Sequence, residues 1–181
     1  MVRDTLAEVL KEICKDVKVE PVLLPVTGDV LPAGANTESG AWFDISAIGL
    51  WQPMNRAFID TRVLNPHAQS NAAMSLLQMY FTHEKSKHRE YLDQIRQIEK
   101  GSFSPAVFSC SGGASPETSK LLMRIALVMK RGEKYSTTIN FLRRRISFDI
   151  LRNCLMSLRG ERGSPHHSDI LDYGLQVMEL Y

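Results

Sequence analysis

The sequence predicts a mixed α/β (α+β) fold, in which a small mixed central sheet of about four strands is flanked by helices. Three observations indicate this fold class. Apolar residues recur at helical spacing in four stretches, which indicates four helices. Four shorter stretches are alternating or rich in valine, which indicates strands, and turn residues separate most of these eight elements. Their order along the chain is helix, three strands, long helix, strand and two helices, which is the order of a mixed fold.

The first half of the chain contains one helix and three strands. Leu6, Val9 and Ile13 share one helical face, which predicts a helix over residues 3–15. Valine-rich alternation predicts a strand over residues 17–26, and Pro21 and Pro25 favour an edge position for it. Turn residues indicate a loop over 27–40. Strands over 41–50 and 56–64, joined by the turn "WQPMN", then form a predicted hairpin.

The second half alternates long helices with one strand. The predicted elements are a helix over 71–101, a strand over 102–110, a helix from Ser115 to about residue 131 and a helix over 137–158. Ser115-Pro116-Glu117 is a strong helix start, with a capping hydroxyl, proline at the first position and an acid in the first turn. One domain over residues 1–161 follows, with a tail over 162–181 that can form a short helix.

Composition indicates an intracellular globular protein. The 181 residues are 44% hydrophobic and 23% charged, and the net charge of +2 does not by itself indicate a nucleic-acid partner. The three cysteines are far apart, which is typical of free thiols rather than of a disulfide framework. No signal peptide and no apolar run of membrane-spanning length is present in the sequence, so no membrane association is expected.

Two acids stand on the strands of the predicted hairpin. If these strands pair, the carboxylates of Asp44 and Asp60 lie side by side, where they repel each other unless a cation lies between them. Hard oxygen ligands suit Mg²⁺, and the carbonyl of Thr61 is a third candidate ligand. Arg62 points to the same face as Asp60 and can meet a phosphate oxygen. The alternative interpretation is a structural ion pair between Asp60 and Arg62.

The long helix carries a stripe in which two charges interrupt apolar and aromatic positions. The members of the stripe are Leu77, Tyr80, Glu84, Lys87, Tyr91, Ile95 and Ile98. Charges on a core-facing stripe require a partner, and the sheet face with Asp44 and Asp60 can provide one. The alternative for Glu84 and Lys87 is a salt bridge with each other along the helix.

Two further features can contact a nucleic-acid backbone. The turn in "SCSGGASPE" precedes a helix N-terminus that can receive a phosphate, through Ser111, Gly112 and Gly113. The last helix carries basic residues off its apolar side: Arg143, Arg144, Arg145 and Arg152. The alternatives are a plain strand-to-helix turn and a solvated helix face.

The residues around Asp44, Asp60 and Lys87 resemble a known family. "FDIS…FIDTRV", with sixteen residues from Asp44 to Asp60, resembles the core of the PD-(D/E)XK restriction-endonuclease-like fold. The stretches "AWFDISAIGLWQ", "RAFIDTRVLNPHA", "HEKSKHREY" and "INFLRRRISFDILR" are similar to the C-terminal endonuclease of site-specific non-LTR retrotransposon proteins, over about residues 2–159. The resemblance implies a nuclear DNA endonuclease dependent on Mg²⁺ (or Mn²⁺). Its expected partners are DNA and a reverse transcriptase or upstream zinc segment of the same polyprotein.

The resemblance also implies roles for individual residues. Asp44 and Asp60 match the acids that hold the metal, and Arg62 stands where the fold has a lysine. Arginine can stabilise charge there but cannot act as a base. Lys87 and Tyr91 match a lysine and a tyrosine on the following helix of the retrotransposon enzymes. An additional acid from the first helix remains open among Glu8, Glu12 and Glu20.

Two other functions stay open. One is a nuclease-fold DNA-binding or structural remnant without catalysis, which the replacement by Arg62 favours. The other is a protein-interaction domain in which every charge is structural.

Overall fold

The computed structural model describes residues 2–26, 31–36, 42–71, 73–129 and 135–159. In chain order the elements are α1 (Val2–Ile13), β1 (Lys15–Val19), β2 (Ile45–Ile48), β3 (Arg56–Leu64), α2 (Leu76–Gln97), β4 (Ser102–Ser109), α3 (Pro116–Met129) and α4 (Tyr135–Arg159), with a 3₁₀ turn at Gln69–Asn71. The fold class is confirmed: helices flank a small mixed sheet. The tail over 162–181 and much of the loop predicted over 27–40 lie outside the described residues.

The sheet has the strand order β1-β2-β3-β4. β2 pairs antiparallel with β1 and with β3, which confirms the predicted hairpin, while β3 and β4 run parallel. A parallel pair needs a long crossover connection, and α2 is its main element. α2 lies in the connection from β3 to β4, and its side chains pack over the face of β3 on which Asp60 lies.

The two faces of the sheet have separate cores. α1, α3 and α4 pack on one face, where Ile59 of β3 and Phe108 of β4 are buried with them. α2 covers the other face, where Phe58 and Leu64 of β3 are buried with residues of α2. This alternation along β3 places Asp60 on the α2 side and the Thr61 side chain on the α1 side.

Element boundaries differ from the predictions where local chemistry ends an element. The strand predicted over 17–26 is wrong beyond Val19, because Glu20 has φ 53° and Pro21 has no N–H to donate. The helix predicted over 71–101 begins only at Leu76. Ser75 caps it, since the Ser75 hydroxyl accepts the Gln78 N–H while the Gln78 side chain accepts the Ser75 N–H.

The edge strand β4 is protected against pairing with a further strand. The register of β4 directs the backbone groups of Pro105 and Val107 outward, and Pro105 has no N–H. The Thr118 hydroxyl accepts the Val107 N–H (2.7 Å) and donates to the Val107 carbonyl (3.1 Å). The edge strand is therefore protected by its own chain, which also fixes the start of α3 beside α2.

Candidate active site

Asp44 lies where the pairing of β2 with β3 ends. The last paired residues are Ile45 and Ile59, so Asp44 stands next to Asp60 in register. Beyond the ladder, the Thr61 N–H donates to Oδ2 of Asp44 (2.6 Å), and the Thr61 hydroxyl donates to the same oxygen. These bonds hold the Asp44 carboxylate against the strand that carries Asp60.

The backbone of Thr61 presents an oxygen on the same side. In a strand, the N–H and C=O of one residue point the same way, so the Thr61 carbonyl also faces the Asp44 side of β3. The Thr61 carbonyl oxygen therefore lies on the same edge of β3 as the Asp44 carboxylate, and its role as a ligand stays a prediction.

Asp60 is buried and contacts the amine of α2. It is 8% exposed, and Lys87 Nζ lies 2.9 Å from its Oδ2. The predicted convergence of Lys87 on Asp60 is thus confirmed as geometry. The pair is poorly aligned for a hydrogen bond, however, and Oδ2 of Asp60 accepts no well-aligned one from any described residue. A buried carboxylate that meets a cation can also serve as a metal ligand, in competition with Lys87.

Tyr91 lies beside Lys87, as the helical stripe predicted. Lys87 Nζ lies 5.1 Å from the centre of the Tyr91 ring, and that ring meets Phe43 edge-on at 5.0 Å between centres. Burial, followed by a hydrogen bond to the Glu90 side chain, raises the pKa of the Tyr91 hydroxyl. Tyr91 therefore stays protonated at neutral pH and can orient Lys87, but it cannot serve as a base.

Glu90 is a member of the site that the sequence did not indicate. Its Oε2 lies 3.6 Å from Lys87 Nζ. It lies off the apolar stripe, and the signal available for it was its position three residues after Lys87.

The assembled site is short of positive charge. Burial is the main cause that raises the pKa of Asp60 to about 6, and the charges of Asp44 and Glu90 raise it further. Lys87 opposes this rise but supplies one positive charge against three carboxylates. The described residues include no group of three or more His, Cys, Asp or Glu side chains that could hold one metal ion. Asp44, Asp60 and the Thr61 carbonyl are oxygen donors of the kind that Mg²⁺ prefers, and Mg²⁺ keeps several waters in its coordination shell.

Positive groups lie at the margin of the site. Arg62 is exposed and makes no ion pair with Asp60 within the described part of the chain, so the alternative of an Asp60–Arg62 pair is wrong. Burial lowers the pKa of His83, and the charges of Arg62 and Lys87 lower it further. His83 stands one helical turn before Lys87, and all three groups lie on the α2 side of the sheet.

Glu84 is not part of this site. It is 3% exposed, and its Oε1 accepts the Glu117 N–H (2.8 Å) at the start of α3. Both interpretations of Glu84, a partner facing Asp44 and Asp60 and a salt bridge with Lys87, are wrong. The reason is that its turn of α2 lies beside the N-terminus of α3, where a carboxylate satisfies an unpaired N–H and the helix dipole.

We expect Glu84→Ala to lower the free energy of unfolding by about 1–3 kcal/mol, because it leaves the partly buried N–H of Glu117 without this acceptor. Urea denaturation measures the effect. Lys85→Ala, on the exposed side of the same helix turn, is the matched control and should change stability by less than about 0.5 kcal/mol. Equal stabilities of the two variants would contradict the capping role.

The predicted phosphate-binding turn is packed between two helices. A Cβ on Gly112, which has φ 87°, would lie 2.7 Å from Ser147 Oγ of α4. A Cβ on Gly113 would lie 2.6 Å from the Tyr80 hydroxyl of α2. Close packing therefore accounts for both glycines, and contact of Ser111 and this turn with DNA stays a prediction.

The basic flank of α4 is largely exposed. The apolar side of the helix is buried as predicted, at Ile139, Leu142, Ile146 and Ile150. Arg143, Arg144 and Arg152 face solvent, whereas Arg145 pairs with Glu8 of α1. Three guanidinium groups thus remain available to a phosphate backbone, and their binding role stays a prediction.

The three candidates for an additional acid near the N-terminus do not place their carboxylates in this site. Glu8 pairs with Arg145, and the Glu20 carboxylate pairs with Arg3. Glu12 is exposed on α1. The Glu20 N–H does donate to the Asp44 carbonyl (3.0 Å), so the Glu20 backbone, rather than its carboxylate, supports the site.

No protein-family model, curated protein or solved structure matches the chain. Within the described residues, no helix has the length and apolar character to cross a bilayer.

Proposed function

We propose that the chain is a metal-dependent DNA endonuclease domain of a retrotransposon-derived protein, which nicks DNA by phosphodiester hydrolysis. The observation that carries the proposal is the buried Asp60 carboxylate, which lies beside Asp44 and against Lys87. Acids that need a cation, together with an amine at the same point, are the parts that hydrolysis of a phosphodiester requires. The resemblance of the chain to retrotransposon endonucleases supports DNA as the substrate and the nucleus as the location.

Each residue has a defined task in this proposal. Asp44, Asp60 and the Thr61 carbonyl would hold Mg²⁺ or Mn²⁺, which when bound polarises the phosphate and lowers the pKa of a bound water. Lys87 donates to a phosphate oxygen and stabilises the negative charge that develops on it. Arg62, at the exposed margin, binds a neighbouring phosphate oxygen.

Groups outside the cluster of Asp44, Asp60 and Lys87 would also bind DNA. A groove of about 1000 Å³ borders Thr61 from the side opposite to Lys87, and its lining includes Asn65, Asn153 and Arg3, which is already paired with Asp4 and Glu20. The two asparagines and the exposed Arg143, Arg144 and Arg152 would be the donors for backbone phosphates. A reverse transcriptase or an upstream zinc segment of the same polyprotein would add further affinity for the target.

A second function is favoured by a specific observation. Lys87 already neutralises part of the charge of Asp60, and Arg62 stands where the fold that the sequence resembles has a lysine. A protein that binds DNA through its arginines and no longer cleaves it would keep Lys87 as the partner of the buried Asp60 carboxylate.

The two functions are separated by cleavage of supercoiled plasmid. We expect conversion to nicked circles in MgCl₂ and none in excess EDTA, because the acids require the ion. DNA binding, measured by fluorescence anisotropy, should fall steeply between about 50 and 200 mM salt whether or not metal is present. Salt-dependent binding without nicking in Mg²⁺ or Mn²⁺ would establish the second function and reject the first.

A further inference from the structure

The Lys87 ammonium contacts two carboxylates that differ in their surroundings. Its Nζ is 2.9 Å from Oδ2 of Asp60 and 3.6 Å from Oε2 of Glu90. The Asp60 side chain is 10% exposed, whereas that of Glu90 is 39% exposed. The ammonium is thus in close contact with the buried acid and within a short movement of the solvated one.

We propose that Glu90 is a positioning residue which receives the Lys87 ammonium when Asp60 takes a metal ion. Lys87 and the ion then compete for the same carboxylate, and Glu90 decides how readily the amine yields. This inference rests on the proposed function, since it requires that Asp60 binds a metal.

The geometry supports an exchange rather than a fixed ion pair. A lysine ammonium is a point charge on a flexible stem with three rotatable donors, so it can shift its main contact without a change in the helix. Two cations beside one buried carboxylate repel each other, which drives the amine away when the ion binds. Glu90, three residues further along α2, offers the displaced amine a carboxylate that is already 3.6 Å away.

The exchange has an unusual consequence for metal affinity. Removal of Lys87 removes a competitor, so Lys87→Met should bind Mg²⁺ more tightly even though it loses an active-site amine. Glu90→Gln removes the acceptor for the displaced amine, so it should bind Mg²⁺ more weakly than the wild type. In a protein that already lacks Lys87, Glu90→Gln should have little effect.

The test is a double-mutant cycle, measured by isothermal titration calorimetry of MgCl₂ into metal-free protein without DNA. We expect Lys87→Met to lower Kd about threefold or more and Glu90→Gln to raise it about threefold. The double variant should match Lys87→Met. Lys85→Met, on the exposed side of α2, is the matched control and should leave Kd unchanged. If circular dichroism shows that Lys87→Met is misfolded, Lys87→Gln replaces it in the cycle.

Two results would overturn the inference. An equal loss from Glu90→Gln with and without Lys87 would show that Glu90 attracts the ion directly. A Lys87→Met Kd equal to or weaker than that of the wild type would show that no competition exists. If either result is found and the wild type still binds Mg²⁺ and nicks DNA, the inference about Glu90 fails but the proposed nuclease function stands. A wild type and a Lys87→Met variant that both fail to bind Mg²⁺ would reject the metal site and the inference together.

Discussion

Asp60→Asn should reduce Mg²⁺-dependent nicking of supercoiled plasmid by roughly a thousandfold. Asparagine keeps the volume and shape of the side chain, so the packing between β3 and α2 is preserved. It removes the negative charge that makes this position a metal ligand and that holds the Lys87 ammonium at 2.9 Å. Single-turnover cleavage at saturating protein measures the loss, and circular dichroism verifies that the fold is retained.

Asp93→Asn is the matched control for this substitution. Asp93 lies on α2, two residues after Tyr91, and takes no part in the cluster around Lys87. Its substitution makes the same chemical change and passes through the same purification, so a contaminating nuclease would give equal activity in both proteins. Nicking by Asp60→Asn at the wild-type rate would refute the assignment of Asp60 to the reaction.

The pH dependence of stability should reveal the same carboxyl group without any reaction. The pKa of Asp60 is raised from 3.8 to about 6 in the folded protein, mainly by burial. Between about pH 4 and pH 6 the folded state therefore binds more protons than the unfolded state, and its stability falls as the pH rises. A difference of about two pKa units corresponds to about 3 kcal/mol, lost in full above about pH 6.

This loss can be isolated by comparison with Asp60→Asn. Urea denaturation of both proteins at a series of pH values in EDTA should show the unfolding free energy of the wild type falling relative to that of the variant across this window. Acids with lowered pKa, such as Asp16 beside Arg56, act in the opposite direction and cancel in the comparison. Added Mg²⁺ should reduce the difference, because a cation stabilises the ionised carboxyl. Parallel pH curves for the two proteins would show that Asp60 has an ordinary pKa.

The fold class was accessible from sequence because it depends on periodicities that the backbone imposes. Alternation along residues 56–64 predicted a strand, and the turn before it predicted the hairpin with β2. Steps of three and four along α2 placed Tyr80, Lys87 and Tyr91 on the face that meets the sheet. Boundaries were less accessible, as at Glu20, because a single residue with positive φ ends a strand whose composition continues.

Glu84 and Glu90 are the two residues whose relation to the site could not be predicted from the sequence. Glu84 satisfied the pattern of a site residue, yet its partner is the N-terminus of a helix that lies more than thirty residues further along the chain. Glu90 failed the pattern, yet it lies beside Lys87. A helical stripe identifies which side chains face inward, but it does not identify the groups that they meet.

The order of the residues was sufficient to establish the mixed fold and to single out Asp44, Asp60 and Lys87, since side-chain direction within a strand or helix follows from local backbone geometry. The pairing of those charges depended on how α2 crosses β3, β4 and the start of α3. Two acids one to two turns apart on α2 acquired different partners because that crossing places one beside a free N–H and the other beside an ammonium. Burial of Asp60, and hence its raised pKa, likewise arises only when the sheet and the helix close over it.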